Sequence, residues 1–169
     1  MGRFRNRADA RHFAYSLYFS AGALAREVEK LATACWKPVG LSPSQGQIII
    51  FLLDVSMTGP AIIARTLLLS RSTVTRLLDG LERKELILRF AYDGVTTVTL
   101  SQKAMALEEE FLKCDREMSR RWTGLLGDDH ATGLMKQMNK ATDKLRGVDE
   151  DEGPECDTES DRDYRHLLP

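Results

Sequence analysis

Residues 58–100 fall into three elements whose order leaves few ways to fold. Thr58-Gly59-Pro60 opens a short helical stretch, Ala61 to Leu68, and Ser70 then caps a second helix running from Arg71 to about Lys84. The apolar face of that second helix is Val74, Leu77, Leu78 and Leu81, at offsets 0, 3, 4 and 7, and its other side shows Arg71, Ser72, Thr75, Arg76 and Asp79. The pattern then changes. Leu86 to Tyr92 and Val95 to Leu100 are rich in β-formers, and Asp93-Gly94 sits between them as a two-residue hairpin turn. Two short helices joined by a tight turn and followed by a hairpin make a helix-turn-helix with a wing.

Long helices flank this unit. Ala14, Leu17, Ala21, Leu24, Val28, Leu31 and Cys35 recur at steps of three and four, so an amphipathic helix precedes Lys37-Pro38-Val39-Gly40. Ser42-Pro43-Ser44-Gln45 starts the next helix with a capping box and a proline in the first turn. After the hairpin, Ser101 starts a further long helix carrying Ala104, Leu107, Phe111, Cys114 and Met118 in one stripe. Gly127-Asp128-Asp129 interrupts it before a last helix with Leu134, Met138, Ala141 and Leu145. The expected architecture is mainly α: an N-terminal helix within residues 1–40, a winged helix-turn-helix domain with a two-stranded wing at 41–103, C-terminal helices at 104–146, and a tail at 147–169. That tail lacks apolar periodicity and is expected to be disordered.

Charge separates along the same line. The 169 residues carry a net −1, but the tail holds nine acids against Arg162 and Arg165, leaving it at −7 and the remaining 146 residues at +6. A positive body suits a polyanionic partner. Cys35, Cys114 and Cys156 lie far apart with no CxxC pair, so the chain reads as a protein of a reducing compartment. The three histidines are scattered without metal-ligand spacing, and no nucleophile with a base or phosphate-cradling glycine loop is visible. The expectation is a non-enzyme without metal or cofactor. Arg3, Arg5, Arg7 and Arg11 before the uncharged run Phe13–Ala25 imitate a secretion signal. Asp9 interrupts the basic stretch, however, and helical spacing passes straight through the supposed cleavage site, so the reading is cytoplasmic, with no membrane span.

The chemistry of the second helix follows from groove geometry. A DNA major groove accepts one helix, whose N-terminal residues reach the base edges. Arg71, Ser72, Thr73, Thr75 and Arg76 have the required donors and sit at that end. On an isolated helix the same residues would be read as a solvated face; the short helix before and the hairpin after favour DNA.

These segments resemble the MarR family of transcriptional regulators. The resemblance rests on Leu41-Ser42-Pro43-Ser44-Gln45, Ile63-Ala64-Arg65 and, above all, the run Leu69-Ser70-Arg71-Ser72-Thr73-Val74-Thr75-Arg76-Leu77-Leu78-Asp79. It continues through Leu81-Glu82-Arg83-Lys84-Glu85-Leu86-Ile87 and Leu100-Ser101-Gln102-Lys103-Ala104. It implies a homodimer built by the first and last helices, with each recognition helix in a major groove of a pseudo-palindromic operator on double-stranded DNA. It implies further that a small ligand can release the DNA. The family's DNA-facing positions fall on Arg71, Ser72, Thr73 and Arg76, with Arg65 and Arg83 as phosphate partners.

Two departures stand out. No basic residue occurs from Phe90 to Gln102, where the family's wing offers arginine to the minor groove; Arg89, at the wing's base, is the only nearby candidate for that DNA contact. Glu85 stands where the family commonly has glycine, and a left-handed backbone there would cost roughly 1 kcal/mol. A neutral wing keeps a second reading open: a winged-helix module for protein partners with weak or lost DNA binding. Cys35 and Cys114 occupy apolar stripes and read as small buried hydrophobes rather than a redox switch. The aromatics Phe13, Tyr15, Tyr18, Phe19 and Trp36 are either helix packing or the lining of an effector pocket.

Overall fold

The computed structural model describes residues 16–92 and 94–147. Residues up to Arg121 form one compact unit and those from Trp122 a second. In the first unit, helix α1 (Leu17–Trp36) begins where the Ser16 hydroxyl accepts the Phe19 amide. Its apolar stripe is buried only in the last turns, at Ala32, Cys35 and Trp36, while Leu17 and Val28 remain exposed. A single 3-10 turn, Lys37–Val39, closes on Gly40 at φ 68°.

Helix α2 (Pro43–Val55) carries the expected capping box: the Ser42 hydroxyl accepts the Gln45 amide and the Gln45 side chain accepts the Ser42 amide, both at 3.3 Å. Its Ile48, Ile49 and Leu52 are fully buried. The Trp36 ring lies flush against Gly46, where any Cβ would overlap it. The chain then makes a two-residue strand β1 (Met57–Thr58), helix α3 (Pro60–Thr66) and helix α4 (Arg71–Arg83). Strands β2 (Ile87–Tyr92) and β3 (Val95–Leu100) pair antiparallel, with Ile87 opposite Leu100 and Tyr92 opposite Val95. That register leaves a two-residue connection, of which Gly94 takes φ 75° and Asp93 lies outside the described residues.

The sheet has three strands rather than the hairpin's two, in the order β1-β3-β2, because Met57 and Thr58 pair with Thr99 and Val98. Helix α2, the two helices after it and the sheet close on one core containing Ile63, Val74, Leu78, Leu81, Ile87 and Val98. The long helix expected from Ser101 is broken. Helix α5 (Gln102–Ala106) stops at Leu107, and α6 (Glu108–Leu126) starts afresh with Glu108, Glu109 and Glu110 in its first turn, where acids complement the positive helix end. The stripe survives the break, since Ala104, Phe111 and Cys114 are all buried. In the second unit Gly127, at φ 80°, separates α6 from helix α7 (Asp128–Arg146), and Gly147 at φ 71° ends it.

Glu85 does adopt the left-handed conformation, at φ 60°. Its carbonyl accepts the Ser101 hydroxyl at 2.7 Å and its carboxylate the Lys103 ammonium at 3.0 Å, so the turn into β2 is held from α5. No described helix is long and apolar enough to cross a membrane.

Candidate nucleic-acid interface

The Ser70 hydroxyl accepts the Thr73 amide at 3.1 Å and lies 2.8 Å from the Thr73 hydroxyl and 3.0 Å from that of Ser72. A cap of this kind typically contributes about 1 kcal/mol to the helix it starts. It also fixes the first turn of α4, the end from which base-reading side chains would project. At 3.6 residues per turn, Val74, Leu78 and Leu81 point into the core, and the exposed side is an arc of roughly 140° bounded by Arg71 and Arg76. Ser72 and Thr75 lie within it and are exposed; Thr73, tied to the cap, is half-buried. The Thr75 hydroxyl donates to the Arg71 carbonyl at 3.0 Å.

The basic residues divide into two kinds. Arg65, Arg71 and Arg76 are exposed and, among the described residues, their side chains make no hydrogen bond or ion pair. The others near this surface are committed within the protein. Arg83 donates to the Asp79 carbonyl of its own helix at 3.2 Å, Lys84 to the Gly40 carbonyl, and Lys103 to the Lys84 carbonyl at 2.8 Å. Arg89 differs most from its sequence expectation. Its guanidinium turns back onto α4, 2.5 Å from Asp79 and 3.2 Å from Glu82, instead of standing free at the wing's base. Sequence pattern could not show this, because nothing local links a strand residue to carboxylates 10 and 7 positions earlier.

The wing is apolar as well as neutral. Leu88, Phe90, Tyr92 and Val95 share the face of the β2–β3 hairpin that turns from the core, and all are exposed. Strand β2 is also an edge strand of the sheet, as is β1.

Among the described residues, the aromatics proposed for an effector pocket are not gathered at one place. Tyr18 and Phe19 are exposed near the start of α1, whereas Trp36 is buried at its end, about 27 Å away at 1.5 Å per residue. Trp36 is occupied with Gly46, and Tyr15 lies outside the described residues. Cys35 and Cys114 are free and buried. Burial, and then the neighbouring Cys35, push the Cys114 thiol above its ordinary value against a smaller opposing effect of Lys113, which keeps it in the unreactive protonated form.

No family model matches the chain, and no curated protein matches it. Solved structures do. A mutant of MarR from E. coli complexed with operator DNA superimposes with a TM-score of 0.66 at 17% identity, covering 74% of this chain and 92% of that one. The transcriptional repressor CouR bound to p-coumaroyl-CoA gives 0.68 at 22%, covering 77% and 94%. The S. aureus MepR–DNA complex gives 0.65 at 21%, covering 78% and 98%. At these identities the likeness is one of fold, and it extends over nearly the whole of each matched chain.

Proposed function

From a chain that has the winged helix-turn-helix fold of the MarR-type regulators, we propose a homodimeric, sequence-specific DNA-binding transcriptional regulator of the cytoplasm. Each α4 enters a major groove. The observation that carries this reading is the N-terminal half of α4's exposed arc, where Arg71 and Arg76 stand uncommitted beside Ser72 and Thr75. Such an arginine can make two parallel hydrogen bonds to guanine, and the hydroxyls can reach bases or phosphates. Arg65 is assigned to the phosphates, and so is Arg83, of which, among the described residues, only Nε is engaged, with the Asp79 carbonyl. The positive body supplies the sequence-independent attraction.

Solved structures of the same fold hold operator DNA, a 23-mer duplex or a small ligand, which supports DNA as the partner and a small molecule as an effector. Dimerisation is supported by apolar surface exposed among the described residues: Leu17, Tyr18, Phe19 and Val28 on α1, and separately Leu125, Met135, Met138 and Leu145 in the second unit.

Selection of bound duplexes from a random pool, followed by salt titration, tests the reading. The expected product is an inverted repeat with half-sites about one helical turn apart. On that site Arg76→Ala should lose roughly 1–3 kcal/mol of discrimination at one base position. Arg83→Ala should weaken all sequences alike and reduce the salt slope by about one charge. The apolar, neutral wing favours a second reading, a winged-helix module for protein partners. A pool that yields no enriched duplex at low salt would select that one instead.

A further inference from the structure

Arg89 occupies the core-facing side of β2, opposite the buried Val98, yet its head group reaches α4 and contacts Asp79 and Glu82 at once. The two acids are one helical turn apart, which is the spacing one guanidinium can bridge. Arg89 is the least accessible partner, its side chain 21% exposed against 52% and 48% for the acids. Its Nε is buried without a hydrogen-bond partner, so the carboxylates hold the head group from its outer end alone.

The positions of the acids give this bridge its meaning. Asp79 and Glu82 fall inside the exposed arc bounded by Arg71 and Arg76, one to three turns below Arg71, Ser72, Thr75 and Arg76, and share its lower part with Arg83. Bare carboxylates there would face the phosphates of a duplex seated on α4, and juxtaposed like charges act against association. No other described cation bridges this pair, and the wing strands beyond Arg89 carry none.

We propose that Arg89 is a positioning residue rather than a DNA ligand: it neutralises Asp79 and Glu82 on the DNA-facing arc and, through them, fixes the base of the wing to the recognition helix. The neutral wing and the acidic lower half of α4 then have one explanation. The cation at the wing's base serves the helix instead. This rests on the DNA-binding reading above for its functional half; the fastening of wing to helix does not.

Three variants of the full chain test it: Arg89→Met, the pair Asp79→Asn with Glu82→Gln, and all three substitutions together. Amide hydrogen exchange of β2 and β3 is measured without DNA, and affinity is measured for the duplex recovered by selection. Arg89→Met and the pair should each speed wing exchange by about tenfold relative to α2, since either one releases the fastening. Arg89→Met should weaken DNA binding by about tenfold, and the triple variant should return it to within about threefold of the parent, because no bare acid is left. The pair leaves the Arg89 stem in place, so it reports on the fastening even where Arg89→Met lowers stability. Unchanged wing exchange in both variants, or a triple variant as weak as Arg89→Met, overturns the proposal. Should the parent chain select no duplex, the DNA-binding reading is lost while the exchange measurement still decides whether Arg89 holds the wing.

Discussion

Gly46 has no side chain because the Trp36 indole occupies the space one would need. The contact joins the last turn of α1 to the first turn of α2, and Trp36 is almost wholly buried there. Gly46→Ala must displace either the ring or the backbone, and overpacking of this kind costs typically 1–3 kcal/mol. Urea denaturation should show that loss with the slope unchanged. Gly80 approaches Gln45 in a similar way, 2.6 Å from its side-chain nitrogen to a notional Cβ, but there the neighbour is the end of a flexible side chain and can move. Neither close approach could be read from the sequence, because each depends on an element that only folding brings near. The left-handed Glu85 could be, since a carboxylate at a turn expected to hold glycine is a local conflict.

At the scale of elements, local chemistry was legible and long-range chemistry was not. The starts of α2, α4 and α5 follow from Ser42, Ser70 and Ser101, whose hydroxyls each accept an amide three residues on. The hairpin followed from two β-rich runs and a two-residue turn. Strand β1 was missed because two residues carry no alternation; it exists only where β3 offers it a free edge. The break at Leu107 was missed because the stripe continues on both sides of it. Arg89 was placed at the wing's base correctly, but its partners on α4 are a tertiary fact.

Helix α6 carries a pH-sensitive clamp of its own. Glu117 accepts hydrogen bonds from Arg120 and Arg121, and these hold its carboxyl down to about 2 from the usual 4.5. A depressed carboxyl contributes stability above its unfolded value and loses it as the pH falls through the folded one. The stability difference between the parent and Glu117→Gln should therefore be full above about pH 5 and vanish towards pH 2. Denaturation midpoints across that window check it; a difference that stays constant would dissociate the clamp from stability.

For the whole molecule, charge is the quantity to follow. Nine acids lie beyond Arg146 on a chain whose remaining residues are net positive. On the proposed DNA-binding reading, such acids are expected to compete with DNA phosphate for the same cations at low salt, and both attractions are screened at high salt. Truncation after Arg146 should tighten DNA binding at low ionic strength and make its salt dependence steeper, with the two forms converging as salt rises. Equal affinity at low salt would leave the acidic segment with no electrostatic role in binding.

Among the described residues, helix α1 is buried only in its final turns, and Leu17 and Val28 on its flank are exposed. If a second copy of the chain supplies the cover, as the proposed homodimer requires, the protein has no single melting temperature, because that cover arrives by mass action. Dilution should then act as a denaturant: a hundredfold drop in protein concentration should lower the thermal midpoint by several degrees, whereas a midpoint indifferent to dilution would mean that one chain suffices.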